Sequence, residues 1–202
     1  MDGLISGAKV YAVDSQGVKT LLGTTDSNGG LTVNSSDLTG KTLMSVGGTD
    51  ISTGLAVSES YMAAIGSTVV NPITTLVHSM VTNNNMTEAN AESAVKTAFG
   101  LGQSTSLASF NYMSQTDTAS TAIYKVAAQV ASIMGVAAGA NTTSVDYSAV
   151  AAKNIADMIA KAPSQALDLT NSTNIQNILS TGMSGTTMAT NATTIDDSLA
   201  ST

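Results

Sequence analysis

Two patterns of apolar spacing meet at Asn71-Pro72. Before it, β-branched and apolar residues come in short runs separated by Asp, Asn, Ser and Gly. The first run, Leu4 to Val13, is closed by the turn Asp14-Ser15-Gln16-Gly17. Val18 to Thr25 follows, then the turn Asp26-Ser27-Asn28-Gly29-Gly30 and the short run Leu31-Thr32-Val33. Thr42 to Val46 and Leu55 to Ala64 complete the set of expected strands. Gly and Asn accept positive φ, and Asx side chains close tight turns, so these separators are hairpin chemistry. Strand and turn at this spacing predict a small antiparallel β-sandwich.

After Pro72 the period lengthens. Ile73, Leu76, Val77, Met80 and Val81 fall on one helical face, with Asn71 as cap and Pro72 in the first turn, and Asn83-Asn84-Asn85 ends the run. Thr87 caps a second helix through Ala98, stopped by Gly100. A loop carrying Leu107, Phe110 and Tyr112 leads to a third helix opened by Asp117 or Thr118. Its face is Ile123, Val126, Ala127, Val130 and Met134, and it ends near Gly135 to Gly139. Ser144 or Asp146 starts a fourth helix holding Val150, Ile155, Met158 and Ile159, stopped by Pro163. Asn171 to Leu179 is a short fifth. From about Gly182 the chain is a Ser/Thr/Met-rich tail, with one turn expected at Ile195 to Leu199.

The expected class is therefore α+β: an N-terminal sandwich over residues 1–66 and a helical bundle over residues 67–202. Small residues at Gly66-Ser67-Thr68 mark the join.

Several of these stretches carry a resemblance. Gly47-Gly48-Thr49-Asp50-Ile51-Ser52-Thr53-Gly54 and Gly66-Ser67-Thr68-Val69-Val70-Asn71-Pro72-Ile73-Thr74-Thr75-Leu76-Val77 resemble a module of very large secreted bacterial adhesins and biofilm-matrix proteins. Ser6-Gly7-Ala8-Lys9-Val10-Tyr11, with Thr24-Thr25-Asp26-Ser27-Asn28-Gly29-Gly30-Leu31-Thr32-Val33, resembles the first strand and hairpin of prealbumin-like modules of surface proteins. Ala122 to Ala131 is similar to the helical part of the same adhesin module, so the resemblance runs from about residue 2 to about residue 135. It implies a secreted or cell-surface bacterial protein with a structural, non-enzymatic job in adhesion, biofilm matrix, or a self-assembling filament or layer. The alternative it leaves open is a carbohydrate- or host-protein-binding domain of such an adhesin.

Composition narrows the classes further. The 202 residues contain no cysteine, which excludes disulfides and thiolate metal sites. Net charge is -7, and every basic residue is lysine, so a nucleic-acid partner and attraction to anionic lipid are disfavoured. Apolar residues make up 43% and charged ones only 10%, leaving hydroxyls and amides to solubilise the surface, as in extracellular structural proteins. Few charges make lateral packing of copies electrostatically cheap. Aromatics at 3% with no Trp provide few of the platforms that sugar sites use. No uninterrupted apolar run of about 18 residues is present, so membrane insertion is not expected. A basic n-region followed by an apolar h-region is absent from the start, which reads as a processed product or a fragment of a longer chain.

Candidate chemistry is sparse, and neither catalytic residues nor a cofactor are expected. His78 is the single histidine, mid-helix without a converging partner set, and reads as structural. Gly100-Leu101-Gly102 follows a helix and lacks the third glycine of a dinucleotide loop, so it reads as a terminator. Gly182-Met183-Ser184-Gly185 falls one residue short of a nucleophile elbow. Asp14, Asp26 and Asn28 are calcium candidates, since oxygen ligands stand at alternate loop positions. In the adhesin modules the first turn is often longer and more acidic; here it is short and lacks a closing carboxylate, which favours plain Asx turns. Lys9 invites comparison with isopeptide-forming lysines but has no acid placed beside it, and Asp196-Asp197 reads as a helix start or solvated tail. The methionines supply no Met-x-x-Met copper set and read as packing filler. The expected partners are other copies of the chain, and other surface or matrix components, through an exposed sheet edge. The assembly residues assigned to that edge are Leu4, Ile5, Val10, Tyr11 and Val13.

Overall fold

Apolar alternation near the N-terminus becomes paired strands in the computed structural model, which describes residues 3–114, 117–140 and 145–182. β1 (Ile5–Ser6) pairs antiparallel with β5 (Thr49–Asp50). β2 (Lys9–Val13), β3 (Lys19–Thr24), β4 (Thr42–Val46) and β6 (Ser60–Ala63) form a four-stranded antiparallel sheet in the order β3-β2-β4-β6. The architecture is α+β, with the strands N-terminal and six α-helices among the described residues.

Three strand expectations are corrected. The run Leu4 to Val13 is two strands in two sheets, because Gly7 turns the chain at φ +72°. Leu31 to Val33 pairs with no strand among the described residues. Gly23 in β3 has no side chain, and Leu31 fills the place where its Cβ would sit, so the segment crosses the sheet face instead of extending the hairpin. Of Leu55 to Ala64, only Ser60–Ala63 is strand in the four-stranded sheet. A short helix α1 (Ser35–Leu38) was not anticipated.

The helices start where the sequence places caps. α2 (Pro72–Asn83), α3 (Glu88–Ala98), α4 (Thr118–Ala138), α5 (Tyr147–Lys161) and α6 (Ser172–Ser180) have Asn71, Thr87, Asp117, Asp146 and Asn171 as N-caps. Each cap side chain accepts an otherwise unpartnered first-turn amide, worth about 1 kcal/mol.

Leu76, Met80, Val95, Ile133, Met134, Ile155 and Ile178 fill the main core, and α2 packs against α3, α4 and α5 around it. Tyr61 of β6 belongs to the same core. α4 is long and apolar enough by length and composition to cross a membrane, but Ile123, Val130, Ile133 and Met134 are buried in the protein core. Val10, Leu43 and Ala63 form a second, smaller cluster on the sheet, and Val70 touches both.

Candidate binding groove

Direct cross-strand partners share a face of the sheet. The pairs Val10↔Ser45 and Ser45↔Tyr61 therefore put three side chains side by side on the core-facing surface, with Leu43 and Ala63 next along it. The strands leave part of this surface uncovered. It forms the floor of a groove of about 600 Å3. Among the described residues no Asp, Glu, Lys, Arg or His lines it.

One wall is the segment from Gly29 to Leu38. Asp26 Oδ1 accepts the amides of Asn28 (2.8 Å) and Gly30 (2.9 Å), which fixes where the chain leaves the hairpin. Leu31 and Val33 are then half-buried with Thr32 exposed between them, the alternation of an extended chain.

The opposite wall is Ser67 to Pro72. At its end Asn71 Oδ1 accepts the Thr74 amide and Thr74 Oγ1 accepts the Asn71 amide, both at 2.9 Å. This reciprocal cap anchors the wall to α2. The ends of both walls are held by their backbone: Asp26 N–H donates to Gly30 O (2.8 Å), Asp37 N–H to Asn34 O (3.0 Å), Ser67 N–H to Ala64 O (3.2 Å) and Thr68 N–H to Ala108 O (2.8 Å). Leu31, Thr32, Val33, Val69 and Val70 make no backbone hydrogen bond to any described residue.

Asn111, Tyr112 and Met113 close one end. Their loop is held from α3 by an ion pair between buried Lys96 and half-buried Glu92, Nζ to Oε1 at 2.6 Å. Lys96 Nζ also donates to Gln103 O (3.1 Å), and Glu92 Oε1 accepts the Leu107 amide (3.1 Å). Burial, and then the charge of Glu92, push the Glu88 carboxyl above its ordinary value.

The sheet edges differ. On β6, Thr75 Oγ1 accepts the Met62 amide (3.0 Å), Thr74 Oγ1 donates to Met62 O (2.9 Å), and Ser148 Oγ accepts the Ser60 amide (3.4 Å). Helical side chains thus occupy that edge. β3 has no strand on its outer side among the described residues.

The expected assembly strand is corrected on this point. Val10, Tyr11 and Val13 lie on β2, which is bonded to β3 on one side and β4 on the other, so it offers no free edge. Val10 and Val13 are buried, while Leu4 and Ile5 are half-buried and line the groove. Tyr11 faces outward in a row with Leu21, Met44 and Met62 that crosses the whole sheet. In that row Leu21 is 54% exposed, at the open edge.

The calcium candidates sit in turns. Asp14 Oδ1 accepts the amides of Gln16 (3.0 Å) and Val18 (2.8 Å). The Gly30 and Asn28 amides hold the Asp26 carboxyl below its ordinary value. These carboxylates already serve their own loops. Among the described residues no three His, Asp or Glu gather into a metal-holding group. Lys9 is exposed. His78 is half-buried, its Nδ1 has no hydrogen-bond partner among the described residues, and burial lowers its pKa. Asp196, Asp197 and Met183-Ser184-Gly185 lie outside the described residues.

Sequence reasoning missed the groove, because its walls are two β-prone runs that find no strand partner. Comparison with family models, with curated proteins and with solved structures finds no match to this chain.

Proposed function

We propose that the chain is a non-enzymatic extracellular or cell-surface structural module that associates with copies of itself or with other matrix components. The finer architecture that goes with this reading is a small β-sandwich followed by a helical bundle. The observation that carries it is the groove between two walls in which Leu31, Thr32, Val33, Val69 and Val70 make no backbone hydrogen bond among the described residues, next to a sheet whose β3 edge has no strand beside it among them. Unpaired N–H and C=O groups beside an apolar floor are what an incoming extended chain can satisfy.

Other features agree. Among the described residues, the groove is lined chiefly by apolar, hydroxyl and amide side chains. The adhesin-like stretches at Gly47–Gly54 and Gly66–Val77 support a surface or matrix setting. Static light scattering across a concentration series tests the reading. Apparent mass that rises with concentration and persists in raised salt supports it, since the contacts involved are apolar. A constant monomer mass at high concentration contradicts it.

A further inference from the structure

We infer that the groove is a binding site for a neutral monoacyl amphiphile, an uncharged molecule whose aliphatic chain lies on the sheet and whose ester, amide or hydroxyl group bonds to Ser45 and Ser67. This goes beyond the self-associating reading and does not depend on it.

Two buried hydroxyls carry the inference. Ser45 is 8% exposed and Ser67 is 4% exposed, and both line the groove. Neither hydroxyl has a hydrogen-bond partner among the described residues. The side-chain atoms there that are both unpartnered and sealed from solvent are His78 Nδ1, Asn84 Oδ1 and Ser120 Oγ, so the two serine hydroxyls keep an opening. For Ser45 that opening is the groove, because it stands on the floor between its cross-strand partners Val10 and Tyr61. A hydroxyl buried without a partner costs about 1–3 kcal/mol. A ligand oxygen or amide placed over the floor gives these two groups the bonds that the chain does not.

The lining sets the rest of the ligand. Leu22 of β3, Val10 of β2, Leu43 of β4 and Tyr61 of β6 carry the floor across all four strands, about 14 Å at ordinary strand spacing. An elongated, mostly aliphatic floor suits an extended acyl chain better than a compact ring. The volume of about 600 Å3 is that of a small-molecule site. Without a charged side chain among the described lining residues, a charged headgroup would be desolvated unpaired. The net charge of -7 repels an anionic bilayer, so the ligand arrives as a free molecule rather than from a membrane surface.

The test titrates the full chain with glycerol monolaurate below its micelle concentration, followed by calorimetry and by methyl NMR. Saturable one-to-one binding that shifts the methyls of Val10, Leu22 and Leu43 is the expected result, with laurate, which keeps the chain but adds a carboxylate, at least about tenfold weaker. Ser45→Ala and Ser67→Ala should each weaken the monoglyceride about fivefold, the loss of one hydrogen bond, while the ligand-free melting temperature does not fall. No saturable binding, shifts confined to residues outside the groove, or laurate binding as tightly as the monoglyceride overturns the proposal. So does indifference to both serine substitutions, or a fall in melting temperature in both, which would show that the hydroxyls serve the fold. Groove methyl shifts that change with protein concentration in the absence of probe, and that block the probe, place a second copy there and overturn the ligand site while keeping self-association. Probe binding by a strict monomer keeps the site and overturns self-association.

Discussion

Ser60, which opens β6, donates its hydroxyl to the carboxylate of Asp146, the N-cap of α5, across 86 positions of chain. Ser148 Oγ donates to the same carboxylate at 2.5 Å and accepts the Ser60 amide, so one side chain caps a helix and fastens the sheet to it. Burial alone would raise the Asp146 carboxyl. Hydrogen bonds from Ser148 and Ser60, then from the Ala149 and Ser148 amides, outweigh it and hold the group below its ordinary value of 3.8. Asp146→Ala should cost about 2–3 kcal/mol at neutral pH, from the lost cap and the charge-assisted bonds. Because the folded-state pKa is depressed, that contribution is complete above the ordinary carboxylate range and disappears as pH falls through the folded value. Urea melts of the two proteins should therefore differ at neutral pH and converge in strong acid.

His78 predicts a different pH window. Its pKa is depressed by burial, so between the folded value and the ordinary 6.5 the unfolded chain binds the extra proton and stability declines as pH falls. His78→Leu should remove that decline, with stability at pH 8 unchanged or higher by about 1 kcal/mol, since a buried nitrogen without a partner is lost. Chemical denaturation at several pH values checks it. An unchanged slope would show that the histidine does not titrate differently in the folded state.

Gly48 and Gly47 are adjacent, both at positive φ, and should respond very differently to alanine. A Cβ on Gly48 (φ +94°) would sit 2.7 Å from Ser6 O and 2.8 Å from Ala8 N, in the bend between β1 and β2. At Gly47 (φ +68°) nothing lies within 4 Å. Gly48→Ala should cost about 3 kcal/mol, combining backbone strain with overpacking. Gly47→Ala should cost about 1 kcal/mol, from the left-handed backbone alone. Thermal melts of the two variants give the comparison.

The Glu92–Lys96 pair should be sensitive to removal of one partner. Lys96→Ala leaves half-buried Glu92 without its cation and frees the loop that ends at Tyr112, at a cost of about 2 kcal/mol. Replacing both at once, with Glu92→Gln and Lys96→Met, should recover most of that loss, because no uncompensated charge remains. Denaturant midpoints of the single and double variants test the coupling.

The helices were legible because their signals are local. Each cap from Asn71 to Asn171 satisfies an amide three residues on, and the apolar period needs no knowledge of the rest of the chain. The sheet was less legible, since strand pairing depends on distant partners. Leu31-Thr32-Val33 has the composition of a strand, yet the bare face of Gly23 draws Leu31 over β3. β2 reads as well as any edge strand in sequence, and only the order β3-β2-β4-β6 shows that it is interior. The adhesin-like motifs turn out to hold structure. Burial would raise Asp50, but the Ser52 hydroxyl (2.6 Å) and amide (2.8 Å), with the Gly3 and Thr53 amides, keep its carboxyl low. Asn71, Thr74 and Thr75 close α2 onto Met62 in the same way. The groove itself had no sequence signature beyond two β-prone runs, because a vacancy is a property of the assembled walls.

Electron microscopy of the full chain across a concentration series tests the central proposal, self-association of a structural module, most directly. Filaments or sheets with a regular repeat, growing in number with concentration, are the predicted result. Uniform isolated particles at every concentration, for the unaltered chain, would contradict it.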